Sequence, residues 1–305
     1  MLRYICKRLI QSIFVLLGIT VVVFVVLHLS GDPVQLMVPP SASQAEVEAL
    51  REKMGFNDPL YQQYYRFLVD MLHGNFGTSY YYNEPAMKIV LDRFPATIKL
   101  ASCAMLIALA LAIPAGIVAA VKRNSKVDAV IRSLALLGQC IPSFWFGIMM
   151  ILLFSVKLHL LPTGGNDSAK SIILPAITLG LFSAASVTRV LRSSMIEVMG
   201  KEFITVAIAK GLPGYMVVLK HAFKNAFSSV MTIVGMQFAG LLGGSVITET
   251  VFAWPGVGRL IVQSITNNDF MVVEATVLLL ASIFVLINFV VDVLYCVINP
   301  RVKLQ

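Results

Sequence analysis

Apolar residues occur in long runs along this chain, separated by shorter polar connections. Six runs reach about 20 residues, the helix length that crosses roughly 30 Å of hydrocarbon. They cover residues 9–29, 98–121, 134–157, 172–190, 229–251 and 274–297. A helix satisfies its own backbone hydrogen bonds, which a bilayer core cannot do for it. The pattern therefore predicts an all-α polytopic membrane protein with six transmembrane helices. The first run follows Arg3, Lys7 and Arg8 but is too long for a signal-peptide core. "LHLSGDP" after it offers no small-x-small cleavage site, so an uncleaved anchor is expected.

Three segments follow from the spacing of the runs: an anchor helix over 1–30, an outer loop over 31–97, and a five-helix core over 98–305. The outer loop has helix signals of its own. Ser43 and Glu46 form a capping-box pattern, and Gly55 is a plausible stop. "PLYQQYYRFLVDMLHG" sets Leu60, Tyr64, Phe67, Leu68 and Met71 on one helical face. Pro85 is suited to opening a third short helix, "PAMKIVLDRF". "YYY" at 80–82 reads as an interfacial aromatic anchor. The loop is expected to pack as a small cap on the outer span ends, or to help receive a partner.

Composition agrees with the runs. Of the 305 residues, 58% are hydrophobic and 13% charged, against about a quarter charged in soluble domains. The net charge of +8 changes the picture only through its placement. Arg3, Lys7 and Arg8, then Lys122, Arg123, Lys126 and Arg132, then Arg189, Arg192, Lys201, Lys210, Lys220 and Lys224, then Arg301 and Lys303 occupy four regions. These hold 15 of the 24 basic residues, and six spans put all four regions on one side. The positive-inside rule makes that side the cytoplasm, with both termini there. Scattered connections explain the charge better than a nucleic-acid surface, so no nucleic-acid partner is expected. Cys6, Cys103, Cys140 and Cys296 show neither a disulfide framework nor metal-ligand spacing, and are read as small apolar fillers.

Candidate chemistry is sparse. There is no G-x-x-x-x-G-K-[ST] loop to cradle phosphates, and no paired carboxylates or Ser/His/Asp set marks a hydrolase. No catalytic, metal-binding or cofactor-binding residue is assigned. A secondary transporter or channel is the alternative of a different class. It would place ionisable groups at mid-membrane, whereas His28 and Glu249 fall near outer ends and Asp292 near an inner one. His73 and His159 fall in outer segments, which argues against an intramembrane enzyme. For a solute path the candidates are Pro142, which breaks the third run's hydrogen-bond ladder, with Ser143 and Trp145 after it; Trp145 packed on a neighbouring helix is the plainer reading. Gly243 and Ser245 are the remaining path candidates; they belong to a small-residue series in the fifth run (Gly235, Gly240, Gly243, Gly244, Ser245) that permits close helix approach.

Between the fourth and fifth runs lies "EFITVAIAKGLPGYMVVLKHAFKN", residues 202–225, too polar to span and longer than a connector needs. Phe203, Ile204, Ala207 and Ile208 share one helical face. "GLPG" at 211–214 breaks the pattern. Met216, Leu219, Phe223 and Phe227 then share a face opposite Lys220 and Lys224. Two short amphipathic helices with a hinge are expected, lying on anionic lipid or docking into a groove on a cytoplasmic protein.

This stretch resembles the cytoplasmic loop of binding-protein-dependent ABC importer permeases, in the branch for dipeptides, oligopeptides, glutathione and nickel complexes. Glu202, Phe203, Thr205, Ala207, Ala209, Lys210, Gly211, His221, Ala222, Asn225 and Ala226 match its pattern. "GDP" at 31–33 with "GNFGTS" at 74–79, "CIPSFWFG" at 140–147, "TETVFAWPGVGRL" at 248–260 and "VVDVLYCVINPRVK" at 290–303 match in the same order across the whole chain. Val206 stands where a polar or basic residue is usual. Ser228 and Ser229 replace a usual Leu-Pro, and "NNDFMV" lacks a usual Pro. The resemblance implies a type I importer permease fold and the first, B-type subunit of its complex. It implies that residues 191–227 hold the coupling element, with Glu202, Phe203, Thr205, Ala207, Ala209, Lys210, Gly211 and Leu212 contacting an ATPase subunit. It further implies a homologous second permease, two cytoplasmic ATPases that bind ATP and Mg, an extracytoplasmic substrate-binding protein, and membrane lipid around a bacterial or archaeal cytoplasmic-membrane protein. Peptide, glutathione and nickel-complex carriers share these motifs.

Overall fold

The computed structural model describes residues 2–29, 43–54 and 56–298, which form helices and irregular connections with no strand among them. The "GDP" motif, Gly55, Arg301 and Lys303 lie outside the described residues. Twelve helices carry the description: α1 (Leu2–Leu29), α2 (Gln44–Met54), α3 (Leu60–Leu72), α4 (Ala86–Val121), α5 (Lys126–Cys140), α6 (Ser143–Met150), α7 (Ile173–Met199), α8 (Glu202–Ala209), α9 (Lys224–Gly244), α10 (Val246–Val251), α11 (Val257–Thr266) and α12 (Phe270–Ile298). Five helical stretches are long and apolar enough to cross a membrane, and the bent pair α5–α6 makes a sixth.

That pair departs from the expected straight third span. Its two arms, 126–140 and 143–157, meet at 98°. A residue before proline is pushed out of the helical region, and Ile141 is extended at φ −77, ψ 125. Pro142 therefore opens α6 as its N-cap residue instead of kinking a continuous helix. The arm beyond it ends in a π-helical turn over Ile151–Lys157.

Two further expectations change. The short helix opened by Pro85 does not stop; it is the first turns of α4, which runs 36 residues through Pro95 and Pro114. The second amphipathic helix of the cytoplasmic stretch is not separate either. A turn at Gly214–Met216 leads through a π-helical segment, Val217–Phe223, directly into α9. With Ser228 and Ser229 in place of Leu-Pro, no missing N–H interrupts this run.

The core forms where α4 packs along α7. Ala104, Ala108 and Ala112 of α4 and Val187, Leu191 and Met195 of α7 belong to one buried cluster. Small residues let the axes approach closely. A Cβ on Gly180 would lie 2.8 Å from the Ala104 carbonyl oxygen, and one on Gly116 would lie 2.9 Å from Leu191. A second cluster joins α1, α4, α11 and α12 through Val23, Val90, Leu260, Val272 and Leu278. By contrast α1 exposes Leu9, Ile13, Phe14 and Val22, as a lipid-facing helix does.

The outer loop packs as a cap. Phe67 and Met71 of α3 join the second cluster, while Leu60 of the same predicted face stays exposed. Tyr64 shares a hydrogen bond with Thr20 at 2.9 Å, and its ring lies 5.3 Å from that of Phe24. The capping box of α2 is formed: Ser43 N–H donates to Glu46 at 2.8 Å and Glu46 N–H to the Ser43 hydroxyl at 3.3 Å. The Ser43 backbone N–H and then its hydroxyl hold the Glu46 carboxyl below the usual range. Of the tyrosines, Tyr80 and Tyr81 are exposed and Tyr82 is half-buried. Ser79 donates to the buried Asp269, which ties the loop to the start of α12. Of the cysteines, Cys103 is half-buried, but Cys6 and Cys140 are exposed and do not act as fillers.

Segments assigned to one side meet each other. Arg8 pairs with Asp292 at 3.2 Å, and Asp128 beside the 122–126 turn pairs with Arg192 near the end of α7. At the other end the outer loop meets α1 through Tyr64 and Thr20 and meets α12 through Ser79 and Asp269. Cysteines placed singly at positions 50 and 214, in a chain without native cysteines, should therefore differ. An impermeant thiol reagent outside intact cells should label position 50 and spare position 214; the reverse pattern would invert the topology.

Candidate functional site

Three features stand out: the cytoplasmic element around α8, a groove beside the bent pair, and a buried carboxylate at the outer end. Helix α8 has two turns, too few to be stable alone in water. Ile204 and Ala207, three residues apart, are buried against the cluster that holds Met195, Val198, Val217 and Ala222. Its end is a Schellman closure. Gly211 N–H bonds the Ile208 carbonyl at 2.9 Å and Leu212 N–H that of Ala207 at 3.4 Å. Gly211 has φ +76, a left-handed conformation that glycine adopts without strain.

The eight proposed coupling residues divide accordingly. Glu202, Phe203, Thr205, Ala209, Lys210 and Gly211 are exposed, Ala207 is buried, and Leu212 is half-buried against the core. The predicted apolar face also divides, with Ile204 and Ala207 turned in and Phe203 and Ile208 turned out. Phe203, Val206 and Ile208 expose 39%, 52% and 60% of their surfaces, so α8 presents an apolar outer side. Beyond the hinge the buried residues are Val217, Ala222, Ala226 and Val230. The expected stripe Met216, Leu219, Phe223, Phe227 assumed a 3.6-residue period. The π segment adds a residue per turn, which moves Val217 and Ala222 onto the inner face and leaves Leu219 exposed.

Pro142 and Trp145 lie on the outside of the bent pair; Trp145 is 49% exposed and has no aromatic partner among the described residues. Ser143 lines a groove of about 510 Å³ between α4, α5, α6 and α7, with Leu111, Gly138, Phe146, Thr178 and Phe182. Gln139 bridges the same helices by donating to Ser186 at 2.8 Å. Gly243 is exposed with open space beside it, whereas Ser245 is buried and donates to Glu249 at 2.8 Å. Ser245 is thus turned away from any open surface. Gly235 is pressed on Val291 of α12, inside the chain. The described residues contain no group of three His, Cys, Asp or Glu able to hold a metal.

Glu249 is the residue that sequence reasoning undervalued. Its side chain is fully buried. It accepts from Thr97 and Ser245, each at 2.8 Å, and from Arg259 N–H at 3.1 Å. The Thr97 hydroxyl oxygen in turn accepts from Val257 N–H at 2.9 Å, and Trp254, also fully buried, donates from its indole to the Ala96 carbonyl at 2.9 Å. Cβ atoms on Gly256 and Gly258 would strike the carboxylate or the neighbouring backbone. "TETVFAWPGVGRL" is therefore a turn wrapped around one carboxylate and fixed to α4. The available signal was a lone acid in an apolar run, followed by closely spaced glycines.

Comparison with known proteins agrees with this layout. Residues 112–304 match the family described as binding-protein-dependent transport system inner membrane component, and residues 1–101 match its N-terminal companion. The glutathione transport system permease protein GsiC of Escherichia coli (strain K12) is 41% identical over 304 residues, covering 99% of both chains. GsiC of Salmonella paratyphi A has the same identity and coverage. Among solved structures, an inward-facing conformation of the MetNI methionine ABC transporter superposes with a TM-score of 0.60 at 19% identity, covering 70% of this chain and 97% of that one. An amino acid ABC transporter with histidines gives 0.51 at 17%, covering 70% and 94%. These two share the fold. This multi-pass chain of the cytoplasmic membrane belongs to the binding-protein-dependent transport system inner membrane components, the permease subunits of ABC importers.

Proposed function

We propose that this chain forms one half of the pore of an ATP-driven importer for a small peptide-like solute, with glutathione the favoured cargo. The identity to GsiC over nearly the full length of both chains supports that choice. The other half is a homologous permease. Two separate ATPase chains bind ATP and Mg, and an extracytoplasmic binding protein delivers the solute.

The observation that carries the coupling role is the outer side of α8. Ile204 and Ala207 anchor the helix rigidly to the core, and Phe203, Val206 and Ile208 face outward without cover. A short helix with an apolar outer side fits a groove on a partner. Closure of the ATPases would carry α8 with it, and the buried anchors would pass the movement to α7 and to the segment entering α9. Rocking of one span bundle against another then exposes the path to alternate sides. To test this, the chain is reconstituted with its co-purifying subunits and binding protein in vesicles. Glutathione uptake that requires ATP supports the reading, and uptake driven by an ion gradient without ATP contradicts it.

Trp145 gives a narrower test. Half-exposed and unpaired, it should be dispensable for insertion and for ATPase retention, and Trp145→Ala should alter uptake alone. Equal loss of all three would make it a packing residue.

A further inference from the structure

The apolar groove changes character at its cytoplasmic end. Ile131, Ala135, Ala185 and Thr188 line both the groove and an adjoining cavity of about 190 Å³ whose wall also carries Arg132, Arg189 and Arg192. One carboxylate serves these three guanidiniums. Asp128, fully buried, is held by Arg192 at 2.7 and 2.8 Å and approached by Arg132 at 3.4 Å. Arg189 has no side-chain acceptor among the described residues. Arg132 shares Asp128 with Arg192, so three guanidiniums and one carboxylate leave a net charge of +2 beside a cavity. Membrane orientation alone places basic residues in the connections, but Arg189 lies within α7, ten residues before Met199.

We propose that Arg132 and Arg189 form an anion-binding station at the cytoplasmic end of the groove, which takes the carboxylate of a peptide-like solute leaving the membrane. This rests on the permease reading and adds a charge preference and a place to it. The guanidinium fork suits a carboxylate. Arg192 is a positioning residue, since Asp128 holds it. Ser143 and Thr188 add hydroxyls along the walls, which a peptide backbone uses and a lipid acyl chain does not.

The test needs no transport. Ala135→Cys, in a chain without native cysteines and with its co-purifying subunits, is placed in phosphatidylcholine vesicles. Its reaction rates with anionic sulfonatoethyl and cationic trimethylammonioethyl methanethiosulfonate are compared. The anionic reagent should be favoured. Arg189→Gln should slow the anionic reagent roughly fivefold, the factor that one unit charge at contact distance in water contributes, and speed the cationic one, so that the ratio falls; Arg189→Lys should keep the ratio. Glycyl-glutamate should slow the anionic reagent more than glycyl-glutamine amide, which has no carboxylate, does. A ratio unmoved by Arg189→Gln, or equal protection by the two dipeptides, overturns the station. Protection by added phosphatidylglycerol but not by glycyl-glutamate assigns the charge to a lipid headgroup and also overturns it. Failure of the wild-type complex to import any peptide counts instead against the permease reading, and leaves these rates interpretable.

Discussion

Gly211→Val should abolish uptake while the chain still inserts at wild-type levels. The φ of +76 at Gly211 lies in the left-handed region, where a β-branched residue costs about 1–2 kcal/mol. Nothing lies within 4 Å of a Cβ there, so the penalty is one of backbone conformation and not of crowding. It is too small to unfold a membrane bundle. It is large enough to undo the closure that Gly211 and Leu212 make on α8, and so to misdirect the exposed side of that helix. ATP hydrolysis should become weak, or independent of the binding protein. Gly211→Asn separates the mechanism from a general loss, because Asn enters the left-handed region with less strain. It should retain most uptake. Equal loss in the Val and Asn variants would mean that the position needs a missing side chain rather than a backbone shape.

The second large effect is expected at Glu249. Glu249→Ala would leave the Thr97 and Ser245 hydroxyls and the Arg259 N–H facing an empty space in the fully buried turn. Stranded buried donors and a lost charged acceptor together cost on the order of 3 kcal/mol. The detergent-solubilised protein should lose much of its thermal stability, read as a lower temperature of aggregation. Glu249→Gln keeps the volume and one acceptor oxygen and should recover part of it. Wild-type stability in the Ala variant would show that the turn is held by Trp254 and Phe252 packing alone.

The bilayer made most of the fold legible. Long apolar runs have few solutions in lipid, so helix class, topology and the cap on the outer ends followed from composition and spacing. What stayed hidden depends on events of one or two residues. Ile141 leaves the helical region because Pro142 follows it, and a span expected to be straight becomes two arms. The π segment at Val217–Phe223 gains a residue and rotates the following face, which a fixed 3.6-residue period cannot foresee. The element proposed for coupling is legible in its motif and in Gly211, but Ala207 within it faces the core. Glu249 reads from the sequence only as an acid near an outer end, because Thr97 reaches it from 152 residues away, although Ser245 lies one helical turn before it. Ser245 was assigned to the path for its size, whereas its hydroxyl is committed to that carboxylate.

The central claim is that α8 docks on an ATPase, and contact measures it most directly. Ile208→Cys, 60% exposed in the wild-type residue, is placed in a chain without native cysteines and treated in native membranes with a short bifunctional thiol-to-amine cross-linker. A cross-linked product containing a nucleotide-binding chain, lost in Gly211→Val, is the expected result. Products containing lipid amines alone, unchanged by Gly211→Val and by charge reversal at Lys220 and Lys224, would place α8 on the membrane surface and contradict the account.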